Sequence, residues 1–78
     1  MIMNLRSFEG KTVRLIDNED KEYEGYVEDY VFAEDNAPEE VDALILDNLV
    51  RKSDGYKFEK LIEFTAPEIK SIDAIDRQ

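Results

Sequence analysis

Asp17, Glu19, Asp20, Glu22 and Glu24 put five carboxylates into eight consecutive residues, and the chain then turns apolar around Val27. Two chemistries use such a run. Carboxylate oxygens ligate a hard cation such as calcium, and two opposed carboxyls carry out acid–base work on a glycosidic bond. A calcium loop of the EF-hand kind requires glycine at its sixth position and glutamate at its twelfth. Counted from Asp17, those positions hold Glu22 and Glu28, so the glycine is missing, and the flanks read as strands rather than helices. Asn18, Glu19 and Asp20 fit better as the tip of a hairpin, because Asn and Asp tolerate turn geometry. Paired-carboxylate catalysis needs a deep cleft between groups roughly 5–10 Å apart. With 20 acidic residues in 78, such distances arise by chance, and nothing marks one acid as buried. No catalytic residue, metal site or cofactor is therefore assigned, and the expected protein is not an enzyme.

The residue types that are missing narrow the chemistry further. There is no cysteine, hence no disulfide, thiolate metal site or thiol nucleophile. There is no histidine, hence no side chain that titrates near neutral pH without perturbation. A Ser-His-Asp or Cys-His mechanism cannot be built from this chain alone. The cysteine-free composition fits a reducing cytoplasm. No apolar run approaches the roughly 20 residues of a membrane helix, and the start, MIMNLRSFEG, has no long apolar centre of the secretory-signal kind.

Binding chemistry remains. Tyr23, Tyr26, Tyr30 and Tyr56 can stack on bases, although strand phase sends Tyr23 and Tyr30 toward the core and Tyr26 outward. The net charge is −10, and residues 1–50 hold 4 basic against 14 acidic side chains. That half repels a phosphate backbone and suits a basic protein surface, with a plain solvated surface as the alternative reading. Arg51, Lys52, Lys57 and Lys60 form a local basic cluster.

The elements that must position these groups read as one short helix followed by strands. Residues 4–9 suit a single helical turn or two, with Asn4 as side-chain cap and Gly10 in the left-handed conformation that ends it. Strands are predicted over 11–17, 22–32, 41–51, 56–64 and 69–75. Val13 and Leu15 face one way and Arg14 the other. In the next strand Tyr23, Gly25 and Val27 share a face, then the phase slips before Tyr30, which implies a bulge or sharp bend near Gly25. AEDNAPEE is a loop, Ser53-Asp54-Gly55 a hairpin turn, and Pro67 opens a short turn before the last strand. Tyr56, Phe58, Ile62 and Phe64 fall on one phase, with Leu61 on the other. The pattern gives an all-β, five-stranded, strongly bent small barrel in one domain.

The run from Gly10 to Phe32 resembles the first motif of the Sm-like (LSM) family, through Val13, Leu15, Asp17, Tyr23, Gly25, Val27 and Tyr30. Val41–Asn48 matches the strand that follows, and Lys60–Ile75 has the shape of the second motif. The resemblance covers Leu5 to Ile75 and is nearest to small members from Gram-positive bacteria and their phages. It implies a bent Sm-like barrel of the general Src-homology-3 type, and self-association by pairing the fourth strand of one subunit with the fifth of the next. Here those edges are Leu61, Ile62 and Phe64 on one side and Ile69 and Ile72 on the other. RNA-binding members carry an Asp-x-Met-Asn element and an Arg-Gly element. This chain has AEDNAPEE in the first place and Thr65-Ala66 in the second, leaving Asn36 as the one counterpart. The expectations are a homo-oligomer, a basic protein partner, no membrane association, and, as the alternative, RNA held by Asn36, Tyr26, Arg51, Lys52, Lys57 and Lys60.

Overall fold

Alternating apolar residues set the sheet, and places where the alternation breaks set its curvature. The structure, a computed structural model, describes residues 4–36, 38 and 40–75. Six strands follow one short 3₁₀ turn at Leu5–Phe8: β1 (Thr12–Asp17), β2 (Glu22–Val31), β3 (Ala43–Arg51), β4 (Tyr56–Lys57), β5 (Ile62–Thr65) and β6 (Ile69–Ala74). All pair antiparallel, in the order β4-β3-β2-β1-β6, with β5 also on β3. The fold is all-β, one curled sheet. No helix among the described residues is long and apolar enough to cross a membrane.

The core follows the phase read from sequence. Val13, Leu15, Tyr23, Val27, Leu44, Leu46, Leu49, Phe64 and Ile69 are buried on the concave side. Leu5 is buried with them, and Phe8 packs against the cluster. A single turn is too short to be stable alone, so it is held by this docking. Asn4 does not cap the turn with its side chain. Its backbone oxygen instead accepts from Ser7 N–H (3.2 Å) and Ser7 Oγ (2.7 Å). Gly10 ends the turn at φ +80°.

Curvature enters at two bulges between β2 and β3, and the β1–β6 pairing carries a further register shift between Ile16 and Asp17. Glu24 pairs with Val50 and Tyr26 with Asp47, so Gly25 lies against both Asn48 and Leu49. A second shift falls between Val27 and Asp29. Extra residues of this kind bend and twist a strand locally. A Cβ on Gly25 would lie 2.9 Å from Leu49 Cδ1 and 3.2 Å from Asp47 O. The glycine is there for close approach between strands. Tyr30 is half-buried after the slip and packs against the core, with its hydroxyl donating to Asp42 Oδ2 at 3.0 Å.

The fourth predicted strand, 56–64, is two strands. Phe58–Leu61 leave the ladder between β4 and β5, because β3 is itself bulged opposite them, and Phe58 N–H reaches Leu49 O (2.9 Å) on the way. The shared phase of Tyr56, Phe58, Ile62 and Phe64 is therefore broken: Tyr56 is exposed, Phe58 and Ile62 are half-buried, and only Phe64 is fully in the core. Val41 and Asp42 precede β3 rather than belonging to it. Of the loop AEDNAPEE, Ala33–Asp35 form a 3₁₀ turn, while Ala37 and Glu39 lie outside the described residues.

Candidate binding face and open strand edges

The first part of the acidic run is a turn, and its last two carboxylates, Glu22 and Glu24, lie in β2. Asp17 Oδ1 accepts from Glu19 N–H (2.9 Å) and Lys21 N–H (3.0 Å), and Asp20 N–H donates to Asp17 O (3.0 Å). Asp20 takes φ +64°, which short polar side chains tolerate. Asp20 and Lys70 form an ion pair, and Asn18 Nδ2 donates to Pro67 O, tying this turn to the turn before β6. No group of three or more carboxylates among the described residues converges as a metal site would.

The hairpin from β3 to β4 builds an aromatic and basic ledge. Gly55 at φ +71° closes the Ser53-Asp54-Gly55 turn, and its N–H donates to Arg51 O at 2.7 Å. Arg51 and Asp54 form a two-pronged pair, Nε to Oδ1 at 3.1 Å and Nη2 to Oδ2 at 2.9 Å. This bond, with help from Tyr56 N–H, holds the Asp54 carboxyl below the usual carboxylate range, and it raises the Arg51 guanidinium above its ordinary value. The guanidinium also lies over the rings of Tyr56 (5.3 Å) and Phe58 (5.7 Å), which meet each other edge to face at 4.9 Å. The aromatic chain continues inward from Phe58 to Tyr23 (6.3 Å) and from Tyr23 to Phe64 (5.3 Å). Burial, and then the charge of Asp17, push the Tyr23 hydroxyl up. The ledge is thus anchored in the core.

A surface furrow runs beside it in three connected lobes. The first, about 380 Å³, is lined by Thr12, Glu24, Gly25, Tyr26, Asn48, Val50 and Lys52. The second, about 430 Å³, shares Asn48 and Val50 and adds Lys57, Phe58 and Glu59. The third, about 310 Å³, shares Phe58 and Glu59 and adds Tyr56 and Lys60. Each lobe holds one lysine, with one aromatic ring in the first two and two rings in the third. Lys52 is paired with Glu24 at 3.2 Å, whereas Lys57 and Lys60 make no ion pair among the described residues. The strand bulge puts Asn48 at φ +53°, with its side chain exposed on the furrow floor.

The expected binding residues therefore divide. Tyr26, Lys52, Lys57 and Lys60 line one furrow. Arg51 stands behind it, committed to Asp54 and the two rings. Asn36 lines none of the three lobes, and its amide Nδ2 donates to Val41 O at 3.0 Å, bracing the loop before β3. Sequence reading passed over Asn48, Val50, Phe58 and Thr12. The available signal was the Asp47-Asn48 pair in the middle of an otherwise apolar strand, since both residues favour local backbone bonding over a ladder.

Among the described residues, β5 and the short β4 each pair with β3 alone, and β6 pairs with β1 alone. Ala66 N–H donates to Asp42 O (2.8 Å), in step with the β3–β5 register. Alternation along the strand then sends the backbone groups of Glu63 and Thr65 away from β3. Ile75 N–H donates to Thr12 O (2.8 Å), in step with the β1–β6 register, which sends those of Ile72 and Ala74 away from β1. Between the strands, Glu68 Oε1 accepts from Thr65 N–H (2.8 Å) and Thr65 Oγ1 (2.9 Å), closing the short turn that Pro67 opens. Leu61 is 53% exposed just before β5, Ile62 and Ile72 are half-buried, and Phe64 and Ile69 face the core. Compared with known proteins, the chain matches no family description and has no significant curated relative.

Proposed function

We propose that the protein is a non-enzymatic interaction module of the Sm-like barrel type, which associates with copies of itself through β5 and β6 and offers its acidic surface to a basic protein partner. The observation that carries this reading is that, among the described residues, β5 and β6 each pair along one side alone, at opposite ends of one curled sheet. A row of unpaired N–H and C=O groups is a template for another strand unless it is blunted by charge, proline or a covering segment. Pro67 lies in the turn between these edges rather than on either of them. A contact joining two different edges is head-to-tail and closes into a ring when the rotation allows. The acidic surface supports the partner chemistry, because charge complementarity governs encounter and excludes wrong partners. Four carboxylates of the acidic run, Asp17, Glu19, Asp20 and Glu24, are occupied by turn and surface bonds, and no charged residue is buried among the described residues, which favours a binding role over catalysis.

Sedimentation over a wide concentration range tests the proposal. A particle several chains in mass is expected, and one chain at every concentration refutes it. A lysine-rich peptide used as a probe should bind with an affinity that falls as salt rises; no binding at low salt removes the partner half of the reading.

One observation favours a second reading, the binding of single-stranded RNA. Three lobes that each pair a ring with a lysine match a groove that stacks bases and tracks a backbone. This place differs from the two loops where the Sm-like resemblance puts RNA contacts. Retention of short oligo-U on a filter at low salt supports it, and none at high micromolar protein excludes it.

A further inference from the structure

Asp54-Gly55, at the exposed tip of the β3–β4 hairpin, is the chain's one Asp-Gly bond. Such a pair can react within itself. The backbone nitrogen of Gly55 attacks the side-chain carboxyl carbon of Asp54, and a C–N bond forms. Water leaves, made from a carboxyl oxygen and protons that include the amide proton, and a five-membered succinimide remains. Water then adds back. Opening at the side-chain carbonyl restores aspartate; opening at the main-chain carbonyl leaves isoaspartate, with the chain running through the former side chain. The sequence of steps consumes and returns one water and needs no other reactant. Glycine permits the attack because it has no Cβ in the way. Gly10 and Gly25 each follow a glutamate, which would have to close a six-membered ring, and no asparagine precedes a glycine.

The folded hairpin restrains both reacting groups. Asp54 Oδ1 accepts from Arg51 Nε (3.1 Å) and from Tyr56 N–H (3.1 Å), and Oδ2 accepts from Arg51 Nη2 (2.9 Å). The carboxylate must leave all three donors before it can turn toward the Gly55 nitrogen. That nitrogen is engaged as well, since its N–H donates to Arg51 O at 2.7 Å. The pairing of Arg51 with Tyr56 fixes the length of the loop between them. Arg51 is in turn seated on the rings of Tyr56 and Phe58. The bonds from Arg51 and Tyr56 also hold the Asp54 carboxyl below its usual range, and an ionised carboxylate gives up an oxygen less readily than a neutral acid.

We propose that Asp54-Gly55 is a latent isoaspartate-forming site, and that the two-pronged bond from Arg51, braced on Tyr56 and Phe58, keeps it unreacted in the folded protein. The proposal is independent of self-association and of the partner the protein takes. Conversion would lengthen the main chain by one atom inside a loop closed by the Gly55–Arg51 bond, and it would shorten the arm that carries the carboxylate. The present fork could not re-form, and the Arg51 guanidinium would be released at the end of the furrow that holds Lys57 and Lys60.

The test incubates full-length wild type, Arg51→Gln, Arg51→Lys and Tyr30→Phe side by side at neutral pH, with wild type in guanidinium chloride as the unfolded reference. Isoaspartate at position 54 is quantified by peptide mapping. Native wild type should accumulate it several-fold more slowly than the unfolded chain. Arg51→Gln should raise the native rate about fivefold, the upper end of what an exposed ion pair contributes. Arg51→Lys keeps the charge without the fork and should raise it by less. Circular dichroism checks that each variant is folded, and Arg51→Lys carries the comparison if Arg51→Gln is not. Tyr30 lies toward the other end of β2 from Tyr23, the partner of Arg51, so Tyr30→Phe weakens the fold with the fork intact and should match wild type. Equal acceleration in Tyr30→Phe and the arginine variants places the reaction in the unfolded chain and refutes the protective role of Arg51. Arginine variants as slow as wild type, or a native wild type as fast as the unfolded chain, refute it as well. An unfolded chain that forms no isoaspartate at position 54 overturns the site itself.

Discussion

Gly25→Ala tests the packing logic of the bent sheet with one added methyl. The new carbon would sit 2.9 Å from Leu49 Cδ1, 3.2 Å from Asp47 O and 3.4 Å from Leu46 Cδ2. The first contact can ease by rotation of a leucine, although Leu49 is fully buried and has little room. The second is backbone within the bulge and eases only if β2 and β3 separate. Overpacking of this sort costs about 1–3 kcal/mol. In a domain this small each kcal/mol moves Tm by about 4–8 °C, so a loss near 10 °C is expected. Gly25→Val adds two further carbons to the same gap and should cost more. Tyr26→Ala, one residue along at a side chain 41% exposed, should stay within a few degrees, as surface substitutions generally do. Thermal unfolding followed by circular dichroism at one fixed concentration measures all three, since association makes Tm concentration-dependent. Adding Leu49→Ala makes the comparison sharper. That change alone costs about 2–5 kcal/mol, but in the double variant the new methyl occupies vacated space, so the two losses should sum to less than their separate values by about 1 kcal/mol. Strict additivity, or a Gly25→Ala protein that melts with wild type, refutes the close-approach argument.

Three further outcomes follow from individual contacts. Tyr30→Phe removes the bond to Asp42 while keeping the ring, which should cost about 1 kcal/mol in denaturant unfolding. Asn48 holds φ +53°, so Asn48→Gly should be neutral or mildly stabilising, whereas Asn48→Val should lose about 1–2 kcal/mol to backbone strain. The depressed Asp54 value makes the Arg51–Asp54 bond a source of stability at pH above the ordinary carboxylate value, lost as pH falls through the lowered one. Asp54→Asn should therefore lower the denaturant midpoint at pH 7 and have a smaller effect near pH 2; an equal effect at both pH values contradicts that linkage.

Much of this scaffold was legible from residue order because local signals agreed with one another. Val13, Leu15, Tyr23 and Val27 announced their face by period-two alternation, and the slip before Tyr30 announced the bend. Gly10, Gly55 and the Asn18–Asp20 tip marked turns through backbone freedom. The fourth strand was misread because its break at Phe58–Leu61 has no local cause. It follows from a bulge in β3 around Asn48, and the partner's distortion leaves no trace in the periodicity of 56–64. Asn4 was misassigned for a related reason, since a four-residue 3₁₀ turn leaves few N–H groups for a side-chain cap to satisfy. The candidate furrow was half legible. Tyr26, Lys52, Lys57 and Lys60 are ordinary surface residues whose common furrow depends on the curl of the sheet. Asn36, the RNA contact expected under the alternative reading, lines none of the three lobes, and its amide Nδ2 donates to Val41 O.

Amide hydrogen exchange resolved by residue tests the central claim most directly. Glu63, Ile72 and Ala74 aim their N–H groups away from every described strand of their own chain, while Phe64 and Asp73 aim inward on the same two strands; Thr65 N–H, the other outward amide, is held by Glu68 Oε1. If β5 and β6 join copies of the protein, the three outward amides should become protected as protein concentration rises through the association range. If they exchange at one fast, concentration-independent rate while Phe64 and Asp73 stay protected, the edges are free in solution and the account of self-association is wrong.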